Sequence, residues 1–251
     1  INKSISGHII MEYEDNFKIP KKTILTAGPS ISQKEIYYTN VASESGWNEN
    51  HSDYIKKLEN KFKDFLSVKY ALATSSCTGA MHLALKALGI SSGHEVLVPE
   101  ITWVATAKAV QYVGAMPKFV EVNKNDWNID ILDAKKKITK KTKAIMPVHT
   151  YGNPCDMTEL VKLSRKNNLK IIEDAAPAIG AKWNNNFCGT FGDFGAFSFQ
   201  GAKLVVSGEG GMLVTNNSRL YDLAFKLSNN GRDPKKTFWI NSDGYKYKMS
   251  N

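Results

Sequence analysis

The sequence predicts an α/β fold with a mainly parallel, doubly wound sheet. Apolar runs of strand length alternate with stretches in which apolar residues recur at helical spacing, a pattern typical of successive β-α-β units. The clearest runs are EVLVP, PKFVEV, KAIMPV and KIIEDA. With 251 residues, the chain is long enough to bury the core of one large domain.

The first elements form a helix-strand-turn-helix series. An amphipathic helix is predicted over 52–66, with Ser52 as its N-cap, and a short strand follows over 69–73. The stretch TSSCTGAMHLALKALG then predicts a turn and a second helix that ends at Gly89. This unit places a turn at the carboxyl end of a strand and at the beginning of a helix.

The later elements continue the alternation as far as Asp174. Helices are predicted over 102–113, 130–137 and 157–167. After Asp174, the short runs AKW, FGAFSF and GMLVT are linked by glycine-rich turns, which makes them candidates for late strands of the same sheet. A final helix is predicted over 218–227.

Composition excludes several classes of function. No apolar run approaches the ~20 residues that span a bilayer, and the charged N-terminal region lacks the apolar stretch of a signal peptide, which predicts a cytoplasmic protein without a membrane partner. The three cysteines form no CxxC pair and the histidines no metal-binding motif, which argues against a disulfide framework or a metal site. The net charge of +9 comes mainly from lysines, which favours a solvated surface and an anionic substrate over nucleic acid.

Two candidate binding groups lie where predicted strands end, the edge at which open α/β sheets bind ligands. The turn at 75–79 could hold a phosphate at the positive end of a helix, although such residues also make ordinary N-caps. Asp174 ends an apolar strand, where a buried carboxylate needs a cation or hydrogen-bond donors. A protonated heterocycle nitrogen would suit it, and helix capping is the alternative.

Lys203 and Trp103 also follow predicted strands. Lys203 lies in FSFQGAKLVVSGEGG, a setting suited to Schiff-base chemistry, although an exposed surface lysine is the alternative. Trp103 could lie flat on an aromatic cofactor or simply fill the core. Together, these groups suggest a site for a phosphorylated aromatic cofactor.

Several segments resemble the DegT/DnrJ/EryC1/StrS family of sugar aminotransferases. The resemblance is carried by EDAAPAIGA, GDFGAFSFQGAK, SGEGGMLVT, SNNGRDP and GYKYKMSN, and it runs from about Gly28 to the last residue. It implies a pyridoxal-phosphate enzyme of fold type I, with an aspartate-aminotransferase-like large domain over 28–251 and an N-terminal extension over 1–27. Because the family's chains continue into a smaller C-terminal domain, the resemblance also predicts that this sequence stops before that domain.

The resemblance implies a role for each matching position. Lys203 would form the Schiff base with pyridoxal 5'-phosphate, and Asp174 would pair with the pyridine nitrogen. Trp103 would stack on the ring. The positions that match residues near the cofactor phosphate are Cys77, Thr78 and Ser198.

Two positions depart from the family's pattern. Pro177 replaces a Gln or His that can bond the cofactor's ring hydroxyl. Lys246 replaces an Asn that reaches the phosphate bound by a neighbouring subunit, and a cation could serve an anion there as well. The resemblance therefore predicts a homodimer whose active sites are shared between chains.

The reaction implied is transfer of an amino group from glutamate to a nucleotide-linked keto-sugar. PVHTYGNPCDM and SFQGAK look closest to members that aminate C4 of a nucleoside-diphosphate 4-keto-6-deoxyhexose. Amination at C3 and an aminocyclitol product stay open. Two other classes fit less well, because a sugar dehydratase of this fold would carry His in place of Lys203, and a non-catalytic protein would be expected to lack Lys203 or Asp174.

Overall fold

A central seven-stranded sheet organises the computed structural model, which describes residues 30–232, 239–240 and 242–249. The N-terminal extension expected over 1–27 lies outside these residues. The strands in chain order are β1 (Tyr70–Thr74), β2 (Glu95–Pro99), β3 (Met116–Val120), β4 (Thr142–Ile145), β5 (Lys170–Asp174), β6 (Lys182–Trp183), β7 (Asn186–Phe187), β8 (Phe194–Ser198) and β9 (Gly211–Thr215). All except β6 and β7 belong to the large sheet.

The large sheet is mainly parallel, which confirms the predicted fold class. Its order is β1-β9-β8-β5-β4-β2-β3. Strand β9 runs antiparallel to both of its neighbours, β1 and β8. The other paired strands are parallel, so the carboxyl ends of β1, β2, β5 and β8 lie at one edge.

Helices cover both faces of this sheet. They are α2 (Asp53–Leu66), α3 (Cys77–Ala87), α4 (Ala105–Tyr112), α5 (Ile131–Lys137), α6 (Met157–Asn167) and α7 (Ser218–Ser228), whereas α1 (Gln33–Ser45) buries none of its residues. One face packs against α3, α4 and α7, and the other against α2, α5 and α6. Among the described residues, none of the helices combines the length and the apolar character that a membrane span requires.

Alternation of side chains along each strand builds these two cores. In β2, Val96 and Val98 join the cluster under α3 and α4, whereas Leu97 joins the cluster under α6. Burying a side chain of this size contributes about 1.5–3 kcal/mol. A continuous apolar strand is thus explained by helices on both sides.

Two details of the sequence prediction are wrong. The hydroxyl of Ser52 makes no capping hydrogen bond to α2, because its backbone (φ −122°, ψ 6°) is not in the extended conformation usual for an N-cap. The AKW run belongs to a separate two-stranded ribbon and not to the large sheet. Asn184 and Asn185 both have positive φ, the hairpin-turn conformation that folds β6 back onto β7.

Candidate active site

A cavity of about 1150 Å³ opens at the carboxyl edge of the sheet. Trp103 follows β2, Asp174 ends β5 and Lys203 follows β8, and all three line this cavity. The parallel arrangement of these strands is what brings together side chains that are 100 residues apart in sequence. The edge is therefore the candidate active site.

Asp174 is buried beneath the cavity with its carboxylate held from two sides. The Thr106 hydroxyl donates to Oδ2 at 2.7 Å, and the Ala176 N–H donates to Oδ1 at 3.1 Å. Burial raises the pKa of Asp174, although these hydrogen bonds and the charge of Lys203 oppose the rise. Such a carboxylate is best stabilised by a cationic partner.

Thr106 was not predicted from the sequence. It lies in the first turn of α4, where its hydroxyl points to the same edge as the end of β5. The position of this threonine, in the first turn of a helix that follows a strand, is a signal that the sequence offers. Its hydrogen-bond partner, Asp174, could not be predicted, because it depends on how α4 packs.

Lys203 lies in a tight turn that directs its amine towards the cavity. The backbone N–H of Lys203 donates to the Gln200 carbonyl at 2.9 Å, and the backbone N–H of Gly201 donates to the Gly208 carbonyl at 3.1 Å. The charge of Lys203 is near enough to lower the pKa of both Asp174 and Cys77 against the effect of burial. The surface-lysine alternative does not describe this position, since the side chain is half-buried and lines the cavity.

Trp103 presents a largely free indole to the cavity. Its side chain is 79% exposed, which excludes the alternative that it fills the core. Its carbonyl accepts from the Thr106 N–H at 3.2 Å, so the first turn of α4 fixes its backbone. An exposed aromatic face at this place is available to stack on a planar ligand.

The turn from Ser75 to Gly79, which we name the phosphate turn, begins α3. Ser76 is the N-cap, and its hydroxyl accepts from the Gly79 N–H at 3.0 Å. The Cys77 thiol is buried in the core, where burial raises its pKa. Any contact of Cys77 with an anion would therefore come from its backbone. The Thr78 side chain is only half-buried, so its hydroxyl is accessible for such a contact.

Ser198 and Lys246 do not line the cavity. Ser198 is buried at the end of β8, and its hydroxyl accepts from the Gln200 N–H at 3.4 Å. Lys246 is exposed, in a segment that runs beside the carboxyl end of β1. The structure thus brings together Trp103, Asp174 and Lys203, whereas Cys77, Thr78, Ser198 and Lys246 are not among the residues that line the cavity.

The cavity fits the expected cofactor. A buried carboxylate with a raised pKa suits a protonated ring nitrogen, a half-buried amine suits an aldehyde, and the exposed indole suits an aromatic ring. Pro177 also lines the cavity and offers no side-chain donor there.

A buried network lies next to this site. Oε1 of Glu173 accepts from the N–H groups of Phe191 and Gly192, both at 2.7 Å. Oε2 accepts from the Gly189 N–H at 2.7 Å and lies 3.1 Å from His149 Nε2. Because the Cys155 N–H donates to Nδ1 of His149, the imidazole proton is on Nε2 and points to Glu173.

Comparisons with known proteins identify a family and several relatives. A family model described as the DegT/DnrJ/EryC1/StrS aminotransferase family matches residues 29–251. A GDP-perosamine synthase of Escherichia coli O157:H7 is 46% identical over 223 residues, which are 89% of this chain and 61% of that relative. A UDP-N-acetyl-3-dehydro-alpha-D-glucosamine 3-aminotransferase of Acidithiobacillus ferrooxidans is 44% identical over 177 residues, covering 70% of this chain and 48% of that one.

Solved structures agree with the fold. The X-ray structure of the aminotransferase from Psychrobacter cryohalolentis matches with a TM-score of 0.84 at 32% identity, over 89% of this chain and 60% of that one. The chain thus spans about three fifths of the length of the E. coli relative and of this structure.

Proposed function

Because this chain belongs to the DegT/DnrJ/EryC1/StrS aminotransferase family, whose members depend on pyridoxal phosphate, we propose that it transfers an amino group to a nucleotide-linked keto-sugar. The proposed acceptor is C4 of a nucleoside-diphosphate 4-keto-6-deoxyhexose, and the proposed donor is glutamate. The observation that carries the proposal is the meeting of Lys203, Asp174 and Trp103 around one cavity. The perosamine synthase of E. coli, a relative at 46% identity, supports this substrate class.

A second acceptor position is favoured by a specific relative. The Acidithiobacillus protein is named for amination at C3 of a UDP-linked sugar, and it is 44% identical to this chain over the shared region. We therefore keep amination at C3 as the alternative reaction of the same site.

Each residue of the site would have a distinct task. Pyridoxal phosphate, when bound, supplies an electron sink for breaking the bond to hydrogen at the carbon that carries nitrogen. The Asp174 carboxylate would hold the proton on the ring nitrogen, and Thr106 would orient that carboxylate. Trp103 would cover one face of the ring.

Lys203 would act twice. Its amine would first anchor the cofactor, and once displaced by the donor amine it would move a proton between carbon atoms as a general base and acid, a role typically worth ~10²- to 10⁴-fold in rate. The turn that holds Lys203, whose side chain is half-buried, would keep this amine within the cavity. Cys77, Thr78 and Ser198 would surround the phosphate, with Cys77 contributing its backbone.

The test is a substrate panel. The purified protein is incubated with pyridoxal phosphate, glutamate and a set of GDP-, dTDP- and UDP-linked 4-keto and 3-keto sugars. We expect 2-oxoglutarate and one amino sugar, with the largest kcat/KM for a 4-keto-6-deoxyhexose. A 3-amino product would select the alternative, and loss of a sugar hydroxyl without gain of nitrogen would assign the protein to the dehydratases.

Two lysine variants make the test specific to the site. Lys203→Ala should lose turnover by at least ~10²-fold, whereas Lys162→Ala, which removes an exposed lysine paired with Glu159, should keep it. Borohydride reduction followed by peptide mapping should place the cofactor on Lys203. Label on another lysine would refute the assignment.

A further inference from the structure

We infer that His82 and Tyr247 are positioning residues that hold the segment 244–249, which we name the closing segment, against the phosphate turn. The inference rests on the proposed function, because it concerns how this chain would keep the cofactor phosphate. Their role is to fix the shape of the turn and the place of Lys246. Neither residue would touch the reacting atoms.

His82 has a buried polar atom that the proposed chemistry does not use. It lies in α3, is 4% exposed, and its Nδ1 is 3.1 Å from the Tyr247 hydroxyl. Its Nε2 is buried and has no hydrogen-bond partner among the described residues. A buried polar group without a partner is destabilising, so a buried histidine here needs an explanation beyond filling space.

Tyr247 connects this histidine to the phosphate turn. Its carbonyl accepts from the Ser75 N–H at 2.8 Å. Its ring packs so closely on Gly79 that a Cβ added there would come within 2.9 Å of it. One tyrosine therefore bonds to the start of the phosphate turn through its backbone, packs on the turn's end through its ring, and reaches α3 through its hydroxyl.

Other aromatic rings surround the pair. The rings of Tyr245 and Tyr112 lie with centroids 4.6 Å and 6.0 Å from that of His82, and Tyr245 stacks on Tyr247 at 5.6 Å. Burial, reinforced by the charge of Lys86, lowers the pKa of His82. The imidazole is thus held among tyrosines, next to Lys86 of its own helix.

The consequence concerns the phosphate turn and Lys246 together. Lys246 lies between Tyr245 and Tyr247 in the chain and is exposed, so the two clamped tyrosines determine where its amine can reach. If the hydrogen bond between the Tyr247 hydroxyl and His82 were lost, both the phosphate turn and Lys246 would become more mobile. Binding of the phosphate group should weaken, while recognition of the cofactor ring should not.

The test compares Tyr247→Phe with a matched control, Tyr112→Phe. Tyr247→Phe keeps the ring over Gly79 and removes only the hydroxyl that meets His82, whereas Tyr112 lies beside His82 but belongs to α4. The measurement is binding of pyridoxal phosphate and of pyridoxal, which lacks the phosphate. We expect Tyr247→Phe to bind pyridoxal phosphate about three- to ten-fold more weakly and pyridoxal equally well, the range that one hydrogen bond produces, and Tyr112→Phe to match the parent protein.

A second measurement needs no cofactor. Amide hydrogen exchange at residues 75–79 should become faster in Tyr247→Phe than in Tyr112→Phe. Equal exchange in the two variants would overturn the inference, as would equal weakening for pyridoxal and pyridoxal phosphate. If the parent protein bound neither compound, the proposed function would fail, and the exchange data alone would decide the inference.

Discussion

Asp174 shows how a residue suited to a cofactor can reduce the stability of the protein without one. Its carboxyl is buried, and burial raises its pKa, so the ionised form is less favourable in the folded state than in the unfolded chain. The cost is therefore absent below the unfolded-state pKa and grows as pH rises through the folded-state pKa. A protonated ring nitrogen would remove that cost.

Replacement of Asp174 by Asn should stabilise the cofactor-free protein at pH 7 by about 0.5–2 kcal/mol, the usual gain from relieving a functional site. The amide needs no ionisation and can still meet the groups around Asp174, the Thr106 hydroxyl and the Ala176 N–H. The free energy of urea unfolding, measured from pH 4 to pH 8, checks this expectation. The gain should shrink as pH falls.

The control is Asp156→Asn, at the N-cap of α6, where the Asp carboxylate accepts from the Glu159 N–H near the surface. It should show no gain at neutral pH. A pH-independent gain for Asp174→Asn would mean that desolvation of the carboxylate is not its cause. Transamination should be lost in Asp174→Asn in either case, since the ring nitrogen would lose its anionic partner.

At the scale of elements, local patterns predicted most of the fold. The helix predicted over 157–167 is α6, and the EVLVP and GMLVT runs are β2 and β9 with the same bounds. These elements were predictable because apolar periodicity records which faces are buried. Helix α1 was missed because none of its residues is buried in the described structure, so no apolar stripe marks it.

Pairing between distant segments was not predictable in the same way. The run AKW has the composition of a strand, but only its turn residues, Asn184 and Asn185, determine that it pairs with β7. In the site, positions at strand ends indicated Trp103, Asp174 and Lys203. The contact of His82 with Tyr247 joins residues 165 apart in sequence and depends on packing that periodicity does not encode.

Glu173 links β5 to the turn at 189–192 and to His149, so its charge holds separate elements together. In Glu173→Gln, only one side-chain oxygen would remain to accept hydrogen bonds. The amide NH2 group, itself a donor, would face backbone N–H donors. We expect a loss of about 1–3 kcal/mol in the free energy of unfolding, as for a buried N–H donor that is left without an acceptor. Urea unfolding followed by circular dichroism measures it.

Glu159→Gln is the matched control for this prediction. Glu159 pairs with Lys162 at the surface, and exposed pairs contribute at most about 1 kcal/mol. Comparable losses in the two variants would show that the buried network does not hold the turn.

At the scale of the whole molecule, the cavity is open and its rim is apolar. Trp103, Tyr151 and Leu204 line the cavity, and each is largely exposed in this chain. Large exposed apolar side chains around one site are typical of surfaces that meet another chain or a ligand. This rim supports the proposal of a homodimer in which each active site is built from two chains.

The proposal of shared sites predicts complementation between two impaired variants. Lys246→Ala should weaken retention of pyridoxal phosphate without unfolding the protein, because the side chain is exposed and would gain a charge-assisted contact only with a phosphate of the partner's site. Lys203→Ala should remove catalysis in the chain that carries it. Mixing the two variants as subunits would place both lesions in one site of a mixed dimer and leave the other site intact. Turnover of the mixture should therefore exceed that of either variant alone, as measured by release of 2-oxoglutarate after subunit exchange.

The control is a mixture of Lys162→Ala with Lys203→Ala. Its turnover should equal the proportion of Lys162→Ala subunits, because Lys162 and Lys203 each act within a single chain. If mixed dimers of Lys246→Ala and Lys203→Ala form but stay as inactive as their parents, Lys246 does not serve a partner's site.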